Sequence, residues 1–219
     1  MKMFLPVLFF LLTACASQPT ANWLELEAKA STGDATAQFE LGKMNLNNGS
    51  SNEAVKWLKM SAENGHAAAQ NNLGVLYANG RVLTKDNQEA FRWYKKAARQ
   101  GLGEAEHNVA WMYDQGLGIP EDNQKAVYWY RRAANHGFQA SQLNLGIMLG
   151  KGEGVSKDYV EAHKWPTASR MNRADKQAQW AARGALCELE EKMSEQEIEE
   201  AGYSYSAMPF SNCESFLSK

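Results

Sequence analysis

The nine residues Trp93 to Gly101, WYKKAARQG, are written again as WYRRAANHG from Trp129 to Gly137, 36 residues further on. The interval is not confined to this phrase. Gly65, Gly101 and Gly137 keep it, as do Gly80, Gly116 and Gly152, then Asp86, Asp122 and Asp158. Ala90, Ala126 and Ala162 keep it too, with Trp93, Trp129 and Trp165. Leu73-Gly74, Val109-Ala110 and Leu145-Gly146 also fall in step. A fixed internal period of this size marks a solenoid of stacked supersecondary units.

One unit shows what is being repeated. Between Ala67 and Ala78, Ala69, Leu73, Gly74 and Tyr77 recur at three- and four-residue steps, the spacing of one helix face. Gly74 has no side chain, so a second helix can approach closely there. Asn79-Gly80 ends this first helix, helix A, because glycine is the usual residue just past a helix end. After the loop RVLTK, Asp86 with Glu89 three residues on resembles a capping box with aspartate in the Ser/Thr place. Helix B then turns Ala90, Trp93, Tyr94, Ala97 and Ala98 toward the core, and Gly101 stops it. Two antiparallel helices cannot bury this apolar face alone. Stacked neighbours do so, which is why the phrase has to recur.

Four such units are expected, at about 33–65, 66–101, 102–137 and 138–173. The first is four residues shorter in its loop, since Leu41-Gly42 precedes Leu73-Gly74 by only 32 residues. Ala54, Trp57 and Gly65 restore the register. Upstream, NWLELEAKASTG reads as a lone helix B, with Leu26, Ala30 and Gly33 in the places of Leu58, Ala62 and Gly65, and so as an N-terminal cap. The fourth unit degrades after Trp165, where Pro166 predicts a kink or a late start. A longer helix from about Ala174 to Lys192 follows. Ser194 to Glu197 is a second capping box, opening a helix through Ala201. These two form the C-terminal cap, with seven glutamates between Glu188 and Glu200 as its solvated face.

The joint pattern, seen best in Ala69-Leu73-Gly74-Tyr77-Gly80-Asp86-Ala90-Trp93-Tyr94-Ala97-Ala98-Gly101, resembles the Sel-one-like repeat, a relative of the tetratricopeptide repeat. Gly116-Leu117-Gly118-Ile119 and Gly152-Glu153-Gly154-Val155 carry its loop signature, and Arg81-Val82-Leu83 departs from it. The resemblance covers roughly residues 22–201, and the closing KMSEQEIEEA is similar to segments that cap such arrays. It implies an all-α, right-handed α/α superhelical solenoid of helical hairpins that scaffolds protein–protein contacts.

The first twenty residues are of another kind. Lys2 precedes an apolar run from Met3 to Leu12, ten residues long, which fits a signal-peptide core and is too short to span a bilayer. Leu12-Thr13-Ala14-Cys15 resembles the bacterial lipobox. That resemblance implies a signal peptide over residues 1–14, lipidation of Cys15, a tether over 15–21 and, from Ala16, sorting to the outer membrane with the chain facing the periplasm. An ordinary signal peptide is the alternative. An exported chain meets an oxidising compartment. Its two remaining cysteines, Cys187 and Cys213, permit one disulfide, which would pin the 202–219 tail, or else stand as two free buried thiols.

Composition excludes several classes. With 23 basic and 25 acidic residues the net charge is −2, giving no electrostatic footprint for nucleic acid. The histidines His66, His107, His136 and His163 are too scattered for an H-E-x-x-H zinc site. No serine stands three residues before a lysine, so the serine–lysine nucleophile of penicillin-recognising enzymes is missing. The GLG and GEG loops recur with the period and so have a structural duty. No metal, cofactor or catalytic residue is expected.

Binding is the expected activity, and solenoids bind on their concave wall. In tetratricopeptide-like units that wall is formed by helix A positions two before and two after the core leucine. Here these are Phe39 and Lys43, Asn71 and Val75, His107 and Trp111, and Leu143 and Ile147. Trp111 and His107 are expected to anchor a protein or peptide segment, with Lys43 and Asn71 in polar contact; the alternative packs Trp111 between helices. On the outer face Lys59, Lys95 and Arg131 share one repeat position and predict a ladder of cations. The combined expectation is a non-catalytic interaction scaffold, lipid-anchored in the bacterial envelope. A surface-displayed host-protein binder and a divergent β-lactam or peptidoglycan hydrolase are the alternatives.

Overall fold

A computed structural model describes residues 21–170 and 176–202. Cys15, Cys213 and the signal and tail segments lie outside them. Among the described residues every regular element is a helix, eleven in all. α1 (Ala21–Ser31) precedes four hairpins: α2 (Ala35–Asn47) with α3 (Ser51–Glu63), α4 (Ala67–Asn79) with α5 (Asn87–Arg99), α6 (Gly103–Gln115) with α7 (Asn123–Asn135), and α8 (Gln139–Lys151) with α9 (Tyr159–Arg170). α10 (Lys176–Glu190) and α11 (Glu195–Glu200) close the array. From α1 to α10 each helix packs on its sequence neighbours and α11 packs on α9, so the fold is a solenoid of helical hairpins.

The loops show how the period is enforced. The aspartate before each later B helix caps it: Asp86 accepts from the amides of Gln88 and Glu89, Asp122 from Lys125, and Asp158 from Glu161. The aspartate's own amide reaches back across the loop, to Tyr77 O at 3.0 Å, Tyr113 O at 2.9 Å and Leu149 O at 3.2 Å. That bond uses the amide a capping box would give to Glu89, whose carboxylate instead meets Arg92 at 2.7 Å. Asp86 is therefore a cap without the reciprocal half that its sequence suggests. The shorter first loop makes the same closure from Ser50 to Asn45 O at 2.9 Å.

Two glycine positions carry the packing. A methyl at Gly74 would lie 2.7 Å from the Tyr94 ring, so helix B presses its aromatic onto bare helix A backbone. Gly118, at φ +71, abuts Asn87, where a Cβ would come within 2.7 Å of backbone; Gly154, at φ +73, meets Asn123 in the same way. The second glycine of the loop is thus where one repeat's loop rests on the preceding B helix. Val82, at the corresponding place in the second hairpin, has no left-handed backbone.

The core follows from the alternation of small and large residues. Ala90, Ala97 and Ala98 are fully buried with Tyr94 between them, and Ala126, Tyr130 and Ala133 repeat the arrangement. One apolar cluster runs from α5 to α11, while two smaller ones serve the first hairpins and α1. α9 begins in register after Asp158 and its backbone continues through Pro166 to Arg170, so the late start suggested by the proline does not occur. α10 packs on α9 and α8, and Ser194 and Glu197 form both halves of a capping box at α11. Cys187, wholly buried in α10, is disulfide-bonded.

Candidate partner-binding groove

The A helices α2, α4, α6 and α8 line up side by side, and their sequence positions decide what each face does. The residue two before the core leucine turns toward the next hairpin. Asn71 is 1% exposed and accepts from Asn108 Nδ2 at 3.0 Å. His107 Nδ1 lies 2.8 Å from Ser141 Oγ, and its ring packs 4.8 Å from Phe138 and 5.6 Å from Tyr130. Phe39 stacks on His66 at 4.5 Å. Asn71 and His107 therefore join repeats, which corrects the expectation that they line the groove in contact with a partner. Leu143, at the same position, is half-buried.

Positions two after the leucine stay open to varying degrees. Lys43 is exposed, 3.3 Å from Glu40 and 5.2 Å from the Phe39 ring centre. Val75 is half-buried against the core, and Ile147 is half-buried too. Trp111 is 43% exposed, an unusual position for so large an apolar ring in a packed array.

Trp111 borders a cleft of about 270 Å³ between α4 and α6, shared with Ala78, Lys85, Asn87, Asn108 and Leu117. A second cleft of about 340 Å³ lies one repeat on, bordered by Asp114, Glu121, Asn123, Asn144, Ile147 and Glu153. Each residue of the second set stands 36 positions after its counterpart in the first. The clefts are one site printed twice. Both use the residue just before the core leucine, Asn108 or Asn144, which Asn72 also occupies in α4. This asparagine row went unread in the sequence, although it keeps the 36-residue interval that marked everything else.

Burial shapes the electrostatics. It pulls the His107 imidazole down to about 4 and lowers that of His66, whose Nδ1 accepts from the Ala69 amide as the cap of α4. Both rings are thus neutral near pH 7. The His107–Ser141 contact has the length of a nucleophile–base pair, but Ser141 has no exposed surface and so cannot meet a substrate. Among the described residues no three acidic, histidine or cysteine side chains gather into a metal site.

The outer cation ladder is not free. Arg131 forms a two-point pair with Glu161, one contact at 3.1 Å, and Lys95 lies 5.4 Å from the Phe91 ring centre. Two of the three ladder cations therefore meet their own surface.

The Sel1 repeat family model matches residues 35–66, 67–102, 103–138 and 139–165. Among solved structures, a Sel1 repeat protein from Oxalobacter formigenes is 37% identical at a TM-score of 0.54, over 57% of this chain and 96% of that one. A protective antigen present in uropathogenic Escherichia coli strains, displaying an SLR fold, is 26% identical at a TM-score of 0.52. That match covers 82% of this chain and 46% of the antigen, so the chain spans under half its length. No curated protein matches the chain.

Proposed function

The chain belongs to the Sel1 repeat family, whose repeats mediate protein–protein contacts, and from that premise we propose a non-catalytic scaffold that holds a protein segment across the paired clefts of its A helices. The observation that carries this reading is Trp111: a 43%-exposed indole beside a cleft offers the kind of aromatic anchor that dominates interface energetics. Trp111→Ala is expected to abolish capture of the native partner in crosslinking from whole envelopes while circular dichroism keeps its helical signal. Undiminished capture by a folded variant would rule the site out.

The scaffold is placed in the bacterial envelope, held by lipid on Cys15 and facing the periplasm from the outer membrane. The order of apolar run, small residues and cysteine supports this. Labelling with a palmitate analogue, lost together with membrane association in Cys15→Ala, is the expected result. With Cys15 lipidated, the disulfide of Cys187 takes Cys213 as its partner, and a non-reducing peptide map is expected to contain that linked pair.

The likeness to a protective antigen supports display at the cell exterior as a second reading. Protease treatment of intact cells separates the two, because a periplasmic chain survives it. Hydrolysis of β-lactams or muropeptides is not expected, since Ser141, which meets His107, has no exposed surface.

A further inference from the structure

The two clefts share their frame and differ in charge. Asn87 and Asn108 in the first are matched by Asn123 and Asn144 in the second. Three other positions change together: Ala78 is replaced by Asp114, Lys85 by Glu121, and Leu117 by Glu153. A cleft with one ammonium and an apolar wall becomes a cleft with three carboxylates.

Neutralisation inside the second cleft is partial. Lys151 approaches Glu153 at 3.7 Å, and both side chains are well exposed, so the pair is weak. Asp114 accepts from the Tyr130 hydroxyl at 3.3 Å and from Gln115 at 3.2 Å; Glu121 accepts from Asn123 at 3.4 Å. These donors are neutral and leave the negative charge in place. The carboxylates are spread around about 340 Å³ and form no metal-binding group. Such spacing suits a long cationic side chain, whose stem can lie along Ile147 and Met148 while its head reaches the acids.

Resting on the groove reading above, we propose that the partner is an extended peptide with an apolar side chain for the Trp111 cleft and a lysine or arginine for the Asp114–Glu121–Glu153 cleft. Packed helices lie about 8–10 Å apart. An extended chain in the polyproline II form rises about 3.1 Å per residue with about three residues per turn, so side chains three apart share a face. The two side chains are therefore about three residues apart. Register is fixed by repulsion as well as attraction: a cation slipped back one repeat meets Lys85, and an acidic residue in the second cleft meets three carboxylates.

The test uses the full chain and three dye-labelled, end-blocked Gly/Ser peptides. One carries Phe and Lys three residues apart, one Phe and Glu, one Phe and Ser. Fluorescence anisotropy at low salt is expected to place the lysine peptide first and the glutamate peptide last, about tenfold apart. Added salt is expected to compress the order. Glu121→Lys, which copies the first cleft's residue into the second, is expected to erase the lysine preference. Equal binding of the lysine and glutamate peptides, both lost on Trp111→Ala, overturns the charge rule and leaves the groove intact. Binding of none of the peptides, or binding indifferent to Trp111→Ala, overturns both.

Discussion

His107 shows how a single side chain can carry a measurable property of the whole fold. Burial against the next hairpin holds its pKa near 4, against an ordinary value of 6.5. Between those values the unfolded chain binds a proton that the folded chain refuses, so stability is intact above about 6.5 and declines as pH falls toward 4. The full effect is at most about 3 kcal/mol. His66 acts in the same direction, because protonating its Nδ1 would also remove the α4 cap. Urea unfolding at pH 7.5 and 4.5 is expected to show a smaller pH effect in His107→Leu, the residue Leu143 supplies one repeat on; an unchanged effect would place the proton elsewhere. Two glycines give opposite expectations. Gly74→Ala forces a methyl onto the Tyr94 ring and is expected to cost about 1–3 kcal/mol. Gly184→Ala, in α10 with nothing within 4 Å, is expected to add about 0.5–1 kcal/mol. Denaturation midpoints decide both. At this scale the sequence was a partial guide to the groove. The open position of Trp111 was one of two readings the sequence allowed, whereas it did not show that Asn71 and His107 meet the next hairpin. One residue along a helix turns a side chain by about 100°. A periodic sequence shows that a position recurs without showing whether it faces a ligand or the neighbouring unit.

The hairpins are tied together by a glutamine in three of the four A helices. Gln38, Gln70 and Gln142 donate to the carbonyls of Ala30, Ala62 and Ala134, at 2.9, 3.0 and 3.2 Å, and so fasten each A helix to the end of the B helix before it. In α6 the position is Glu106, fully buried. Its Oε2 lies 2.8 Å from His136 Nδ1, and its Oε1 lies 2.8 Å from Arg132 Nη2 in an ion pair that lacks hydrogen-bond alignment. Removing the partners leaves a buried charge alone, whereas removing the charge frees partners that water can reach. Arg132→Ala with His136→Ala is therefore expected to cost about 3 kcal/mol. Glu106→Gln, which restores the donor of the other three units, is expected to stay within about 1 kcal/mol of the parent. Thermal unfolding of both variants checks this asymmetry, and equal losses would refute it. Most of the elements could be read from the sequence, because caps, glycine stops and the 36-residue spacing are local signals. The continuous α9 could not, since a proline's effect depends on packing around it. Nor could the Asp86 amide's choice of Tyr77 O over Glu89, which rests on a loop closing in space.

Across the whole molecule the apolar core is uneven. The cluster from α5 to α11 is continuous, while α1 and α2 share only Ala30, Ala37 and Leu41 as buried apolar members, flanked by Trp23, Leu26 and Trp57. In a quasi-one-dimensional array each unit answers to its neighbours, so opening is expected to begin at the N-terminal end. Native-state hydrogen exchange is expected to protect amides of α6 to α8 more strongly than those of α1 to α3, and uniform protection would contradict this. The loop glycines have a further consequence. Gly118 and Gly154 seat the loops of the third and fourth hairpins on the start of the preceding B helix, mainly through backbone. A third and a fourth hairpin joined in that way are interchangeable parts. In-frame duplication of residues 103–138 should therefore yield a longer protein that folds, with one more cleft for each copy added, so that unequal crossing-over in the gene becomes a means of lengthening the array.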